Sequence, residues 1–220
     1  MKKIKNFSEM SFILGMIILP LGATLMAKAD MGISMVVAPA YLLSLKFDFL
    51  TFGTAEFLLQ TALIIVMSIL SKKVKLGYIS SFLSAVIYGV ILDLWMALFS
   101  LITPTLFLRF VFYFVGMLVS SLGVALFFRT YLPPCAYDYF VRDISQMFKI
   151  PTRRFKLGYD ITSCLVSVIL SFIFFASIKG VGWGTVLCAF VNGFIIDFFG
   201  KLLDKFIDFS PKFPFEKYFS

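Results

Sequence analysis

Six stretches of the chain are apolar over a membrane-spanning length with few charges to interrupt them: 11–27, 54–70, 78–99, 107–128, 159–178 and 183–199. A helix rises about 1.5 Å per residue, so about 20 apolar residues cross a hydrocarbon core of about 30 Å. The pattern therefore predicts six transmembrane helices. Two further segments, 31–45 and 133–148, fall between the first and second spans and between the fourth and fifth. Each is too short or too polar to cross and opens with helix-breaking residues. Both are expected to be short non-crossing helices that lie on the surface or re-enter the protein.

The pattern also repeats. Ser81-Phe-Leu-Ser-Ala-Val-Ile-Tyr-Gly-Val-Ile-Leu-Asp93 aligns without gaps on Thr185-Val-Leu-Cys-Ala-Phe-Val-Asn-Gly-Phe-Ile-Ile-Asp197. Leu83/Leu187, Ala85/Ala189, Gly89/Gly193, Ile91/Ile195 and Asp93/Asp197 coincide. Upstream, Gly22-Ala-Thr-Leu matches Gly123-Val-Ala-Leu, with a short segment following each at the same distance. Spans one to three thus recur as spans four to six, giving halves 1–104 and 105–220. Three crossings start the second unit on the opposite side of the bilayer, so the halves are expected to be inverted, as in many transporters. The expected fold is an all-α polytopic membrane bundle of two inverted three-helix repeats, meeting around Gly89/Gly193 and Asp93/Asp197.

Composition agrees with the span count. The chain is 60% hydrophobic and 15% charged, against about 45–50% and 25% in soluble domains. The net charge of +8 need not mean nucleic acid. If the N-terminus is cytoplasmic, 16 of the 20 Lys and Arg fall on cytoplasmic segments and only Lys28, Lys46, Arg109 and Lys179 fall outside. The positive-inside rule then places both termini in the cytoplasm and the chain in the plasma or inner membrane. Lys2, Lys3 and Lys5 before the first apolar run resemble a signal peptide, but that run spans and lacks a clean cleavage site, so it reads as the first membrane helix. Cys135, Cys164 and Cys188 are odd in number and far apart, which suggests neither a disulfide framework nor a metal site. No histidine is present, which removes Ser-His and Cys-His catalysis and histidine-ligated zinc. Neither an enzyme nor a bound cofactor is expected.

Several residues could carry chemistry. Asp93 and Asp197 lie well along apolar spans, where a carboxylate is costly unless it faces the interior; either could instead sit at an interface, as Trp95 beside Asp93 suggests. Glu56 and Gln60 share a helical face. Glu56 reads as snorkelling outward, whereas Gln60 and Asp160, in the comparable place of span five, lie deeper and are candidates for an inward polar role. Asn192, within the repeated segment, joins the candidate solute- or ion-binding set. In the fourth loop Pro133 and Pro134 should launch a helix, on which Asp138 and Arg142 are four apart and able to pair. Arg153 and Arg154 could grip a carboxylate or phosphate, or touch anionic lipid as a basic cytoplasmic loop does. The Gly180-Val-Gly-Trp-Gly-Thr run lacks the lysine ending of a phosphate loop, and tight packing of spans five and six is the expected reason for its glycines.

Phe140-Val-Arg-Asp-Ile-Ser145, Pro151-Thr-Arg-Arg154, Asp160 and the run from Gly180 to Asp197 resemble the bacterial YczE-like membrane proteins, which are related in pattern to the YitT group. Ala27-Lys-Ala-Asp-Met-Gly-Ile-Ser34 looks like the matching signature in the first half. The chain departs from that pattern at Tyr131-Leu-Pro-Pro-Cys135 and at Met35, where proline is common. The resemblance implies a bacterial inner-membrane location and no substrate. The leading expectation is a small transporter or permease for a polar or amphipathic solute, with the lipid bilayer and that solute as partners and homo-oligomerisation left open. The alternative is a non-catalytic membrane regulator or the substrate-capturing subunit of a multi-component transporter.

Overall fold

A computed structural model of the chain describes residues 6–73, 75–132 and 135–212, with Arg153 described by its backbone alone. Eight helices make up this part: α1 (Ser8–Ala29), α2 (Ala38–Lys46), α3 (Phe52–Ser71), α4 (Leu76–Leu98), α5 (Leu106–Phe127), α6 (Ala136–Met147), α7 (Thr152–Phe175) and α8 (Trp183–Phe206). All but α2 and α6 are long and apolar enough to cross a membrane. The protein is an all-helical, multi-pass membrane bundle.

Local chemistry sets the helix ends. Thr51 and Thr105 cap α3 and α5, their hydroxyls accepting from the amides of Thr54 at 3.1 Å and Leu108 at 3.4 Å. Asp30, Lys72 and Ala176 take left-handed backbone at the close of α1, α3 and α7. Pro133 and Pro134, expected to launch α6, lie outside the described residues; the helix itself runs from Ala136.

The centre of the bundle is the crossing of α1 and α5. A Cβ on Gly116 would stand 2.9 Å from the Gly22 carbonyl oxygen, so only glycine lets the two backbones approach this closely. The Ser11 hydroxyl adds a bond to the Leu126 carbonyl at 2.7 Å. Around this pair, α4 packs on α1 and α8 on α5; α2 contacts α3 and α7, and α6 contacts α7 and α3. The start of α1 and the segment after α8 meet on one side, where the Phe7 amide donates to the Asp208 carbonyl.

One pairing has no counterpart. α3 and α4 pack along their length, with a Cβ on Gly89 falling 2.7 Å from the Gly53 carbonyl oxygen. α7 and α8 make at most incidental contact, and a Cβ on Gly193 would meet nothing within 4 Å. The halves therefore meet at α1 and α5 rather than around Gly89/Gly193 and Asp93/Asp197: Gly89 is taken up by α3 within its own half. The glycines after Lys179 do not join spans five and six either. Gly184 donates its amide to the Met31 carbonyl at 3.0 Å, a Cβ on Gly182 would fall 2.8 Å from that same oxygen, and Tyr113 of α5 donates to the Gly184 carbonyl. They admit the 31–37 connector and an aromatic ring from α5.

The side chain of Gln60, near the middle of the 20-residue α3, accepts from the Ala136 amide at 3.1 Å. α6 therefore begins at mid-depth of the bundle. It ends beside the start of α4, where Asp143 accepts from Lys75 at 2.5 Å and from Tyr78. Ile64, Met67, Tyr78, Ala136, Tyr139 and Ile144 pack together along that course. α6 is thus a half-helix that enters the protein, not one that rests on its surface.

Candidate functional site

Where α7 and α8 part, a cavity of about 400 Å³ reaches inward to the α1–α5 crossing. This is within the range of small-molecule sites. Its walls are mostly apolar and include Leu19, Met26, Val36, Ile161 and Ile196. Its polar groups include Glu56 of α3, Tyr88 of α4, Ser120 of α5, Tyr137 and Asp138 of α6, Lys156, Tyr159 and Asp160 of α7, Asn192 of α8, and Ser34 of the connector after α1.

Glu56 is 0% exposed. One carboxyl oxygen accepts from the Gln60 amide at 3.4 Å, and the carboxyl also faces the Tyr137 hydroxyl. Asp160 likewise presents one buried oxygen without a partner. Buried polar atoms are nearly always bonded, so the unpartnered Asp160 oxygen, with the buried Glu56–Tyr137 pair on the same cavity, marks it as a place that receives polar atoms from elsewhere. Glu56 was expected to snorkel outward. The correction has a physical cause: α6 enters beside α3 and turns the Glu56–Gln60 face into the interior.

The start of α6 supplies neutral donors. Burial, and then the Glu56 carboxyl nearby, push the Tyr137 phenol well above its usual range. Burial, and then the Asp138 and Glu56 carboxyls, do the same to the Cys135 thiol. A thiol held this way is not a nucleophile, and Tyr137 remains an un-ionised donor. Among the described residues no group of three Cys, Asp or Glu side chains is placed to hold a metal ion.

Of the residues singled out in the sequence, Asp138, Asp160 and Asn192 line the cavity. Gln60 is 0% exposed beside it, with its side chain committed to Glu56 and to the start of α6. Asn192 accepts from the Ser121 hydroxyl. Asp138 pairs with Lys156 at 3.2 Å rather than with Arg142; Arg142 is exposed and stacks over the Tyr139 ring at 4.7 Å. Asp93 lies away from the cavity, accepting from Thr51 at 2.6 Å and the Gly53 amide at 2.7 Å. Asp197 is exposed and pairs with Lys201 at 2.7 Å. Arg154 is exposed, and the side chain of Arg153 lies outside the described residues. Tyr88, Tyr137, Tyr159 and Lys156 were not singled out as site residues. Only the i, i+4 spacing of Lys156 and Asp160 hinted at the last of them.

A family model described as "Family of unknown function (DUF6198)" matches residues 7–201. The uncharacterized protein YyaS of Bacillus subtilis is 27% identical over 200 residues, 87% of this chain and 92% of its own length. An uncharacterized protein of Haemophilus influenzae is 27% identical over 166 residues, covering 75% of this chain and 69% of that protein. No solved structure matches.

Proposed function

The chain belongs to the DUF6198 family, whose name assigns no activity, and from its own cavity we propose that it is a small permease for an amphipathic solute. In this reading its halves are inverted repeats that open in turn. One observation carries it. Two halves alike in sequence pack differently, α3 closed on α4 at Gly53 and Gly89 while α7 stands off α8 at the cavity. Packed interfaces tend to be bistable rather than continuously deformable. We read the closed and the parted pairs as two states of one unit, with the cavity as the solute site. Half-helices α2 and α6, each held between α3 and α7, are the broken elements that such carriers place at the midplane. The lysine and arginine distribution supports cytoplasmic termini in an inner membrane. The narrower likeness to YczE proteins rests on the glycine-threonine run and names no solute.

Gly193→Trp tests this reading. The side chain enters open space, so the variant should fold as the wild type does while filling the cavity. In a thermal-shift screen of purified protein against metabolites and organic ions, compounds that raise the wild-type Tm should leave the variant unmoved. Ligands that stabilise both equally, or no ligand that distinguishes them, would overturn the assignment.

A further inference from the structure

We propose that the cargo of this cavity is an amphipathic organic cation, exchanged for a proton carried by Glu56; the inference rests on the permease reading and specifies its substrate class. The ionisable lining is three carboxyls (Glu56, Asp138, Asp160) and one ammonium, Lys156. Lys156 is already engaged by Asp138, which leaves two carboxyls without a cationic partner of their own on the space: Glu56, met by the neutral Gln60 and Tyr137, and Asp160, with one unpartnered oxygen. An anion would find no free positive group there. A bare metal ion would find apolar walls and no converging trio of ligands. A cation with apolar substituents matches both halves of the lining. Its charge meets the carboxyls, its substituents meet Leu19, Met26 and Ile161, and the rings of Tyr88, Tyr137 and Tyr159 offer cation–π faces. The gap through which it would enter lies between two helices whose outer faces are apolar, with Leu165 of α7 58% exposed and Phe194 of α8 79% exposed. Molecules that partition into the bilayer interface reach such an opening directly.

The proton follows from burial. An unpaired carboxylate in a membrane interior is costly, so Glu56 holds either a proton or a cation. When the cation arrives, the carboxyl O–H breaks, the proton leaves to water and the carboxylate pairs with the cation, so one positive charge enters as one departs. The groups facing Glu56 are compatible with this exchange. They are Gln60 on its own helix, Tyr88 from α4, Cys135 and Tyr137 at the start of α6, and Tyr159 from α7. Asp138, Lys156 and Asp160 complete the charged lining. On α2, Tyr41 is turned away, its hydroxyl donating to the Ala27 carbonyl. None of the close neighbours is a permanent cation that would take the place of cargo.

The experiment is equilibrium binding of tetraphenylphosphonium to the purified full-length protein between pH 6 and 9, with proton release followed in weak buffer. Tetraphenylborate, the same shape with opposite charge, is the control. The expected result is binding of the phosphonium alone, tightening about tenfold per pH unit while one carboxyl proton competes, with about one proton released per cation. Glu56→Gln should abolish the release and the pH dependence, and Glu56→Asp should retain them. Equal binding of the borate, binding independent of pH, or binding without proton release would overturn the inference. The two ions on the wild type decide the matter should Glu56→Gln fail to fold. If uncharged compounds bind and Gly193→Trp blocks them, the permease reading stands and the cation falls. If Gly193→Trp changes nothing for any compound, both fall together.

Discussion

Asp93 accepts from the Thr51 hydroxyl and the Gly53 amide and so ties the start of α3 to α4, whereas its repeat partner Asp197 is exposed and pairs with Lys201 one turn along its own helix. The two carboxylates occupy aligned positions and do different work. Removing a partly buried acceptor of two bonds costs about 1–3 kcal/mol, while an exposed i, i+4 ion pair contributes at most about 0.5 kcal/mol. Asp93→Ala should therefore lower unfolding stability in detergent by that larger amount and Asp197→Ala should leave it nearly unchanged. Equal losses would show that the tie between α3 and α4 is not what Asp93 provides. At this scale the sequence disclosed which side chains share a helical face, as with Glu56 and Gln60. It pointed Gln60 inward but not Glu56, because apolar residues surround that face on every side of α3 and a helix 76 residues later decides its fate.

The six long helices were legible, since length and unbroken hydropathy alone mark a bilayer span, although α7 starts and α8 ends seven residues beyond the apolar stretch, where charged residues continue the helix. Which of its two expected placements, surface or re-entrant, α6 takes was not legible. Its residues alternate apolar and charged, as a surface helix would, and its depth is fixed by the Gln60–Ala136 bond and by the Asp143 contacts with Lys75 and Tyr78. The glycines show the same division between pattern and context. Gly89 and Gly193 align in the repeat, yet a Cβ meets backbone at the first and open space at the second. Overpacking a tight crossing costs about 1–3 kcal/mol, so Gly89→Leu should lower the Tm of the purified protein and Gly193→Leu should not. A comparable loss in both would mean that α7 and α8 close as tightly as α3 and α4 in the resting protein.

For the whole molecule, the alignment of 81–93 with 185–197 raised the expectation of a repeat, but the unequal packing of α3 on α4 and of α7 on α8 could not be read from it. A repeat encodes the unit, and which of its packings each copy adopts is a property of the assembled bundle. In the permease reading, the parted α7–α8 pair and the closed α3–α4 pair exchange roles. Spin labels on lipid-facing sites measure this directly, one pair at Leu165 and Phe194 across the gap and a second at Ile65 and Val90 across the closed crossing, in a cysteine-replaced protein in lipid nanodiscs. Two distance populations are expected for each pair, with the shorter α7–α8 population accompanying the longer α3–α4 one, and loss of the shorter α7–α8 population in Gly193→Trp. Single, fixed distances for both pairs, unaffected by that substitution, would contradict it.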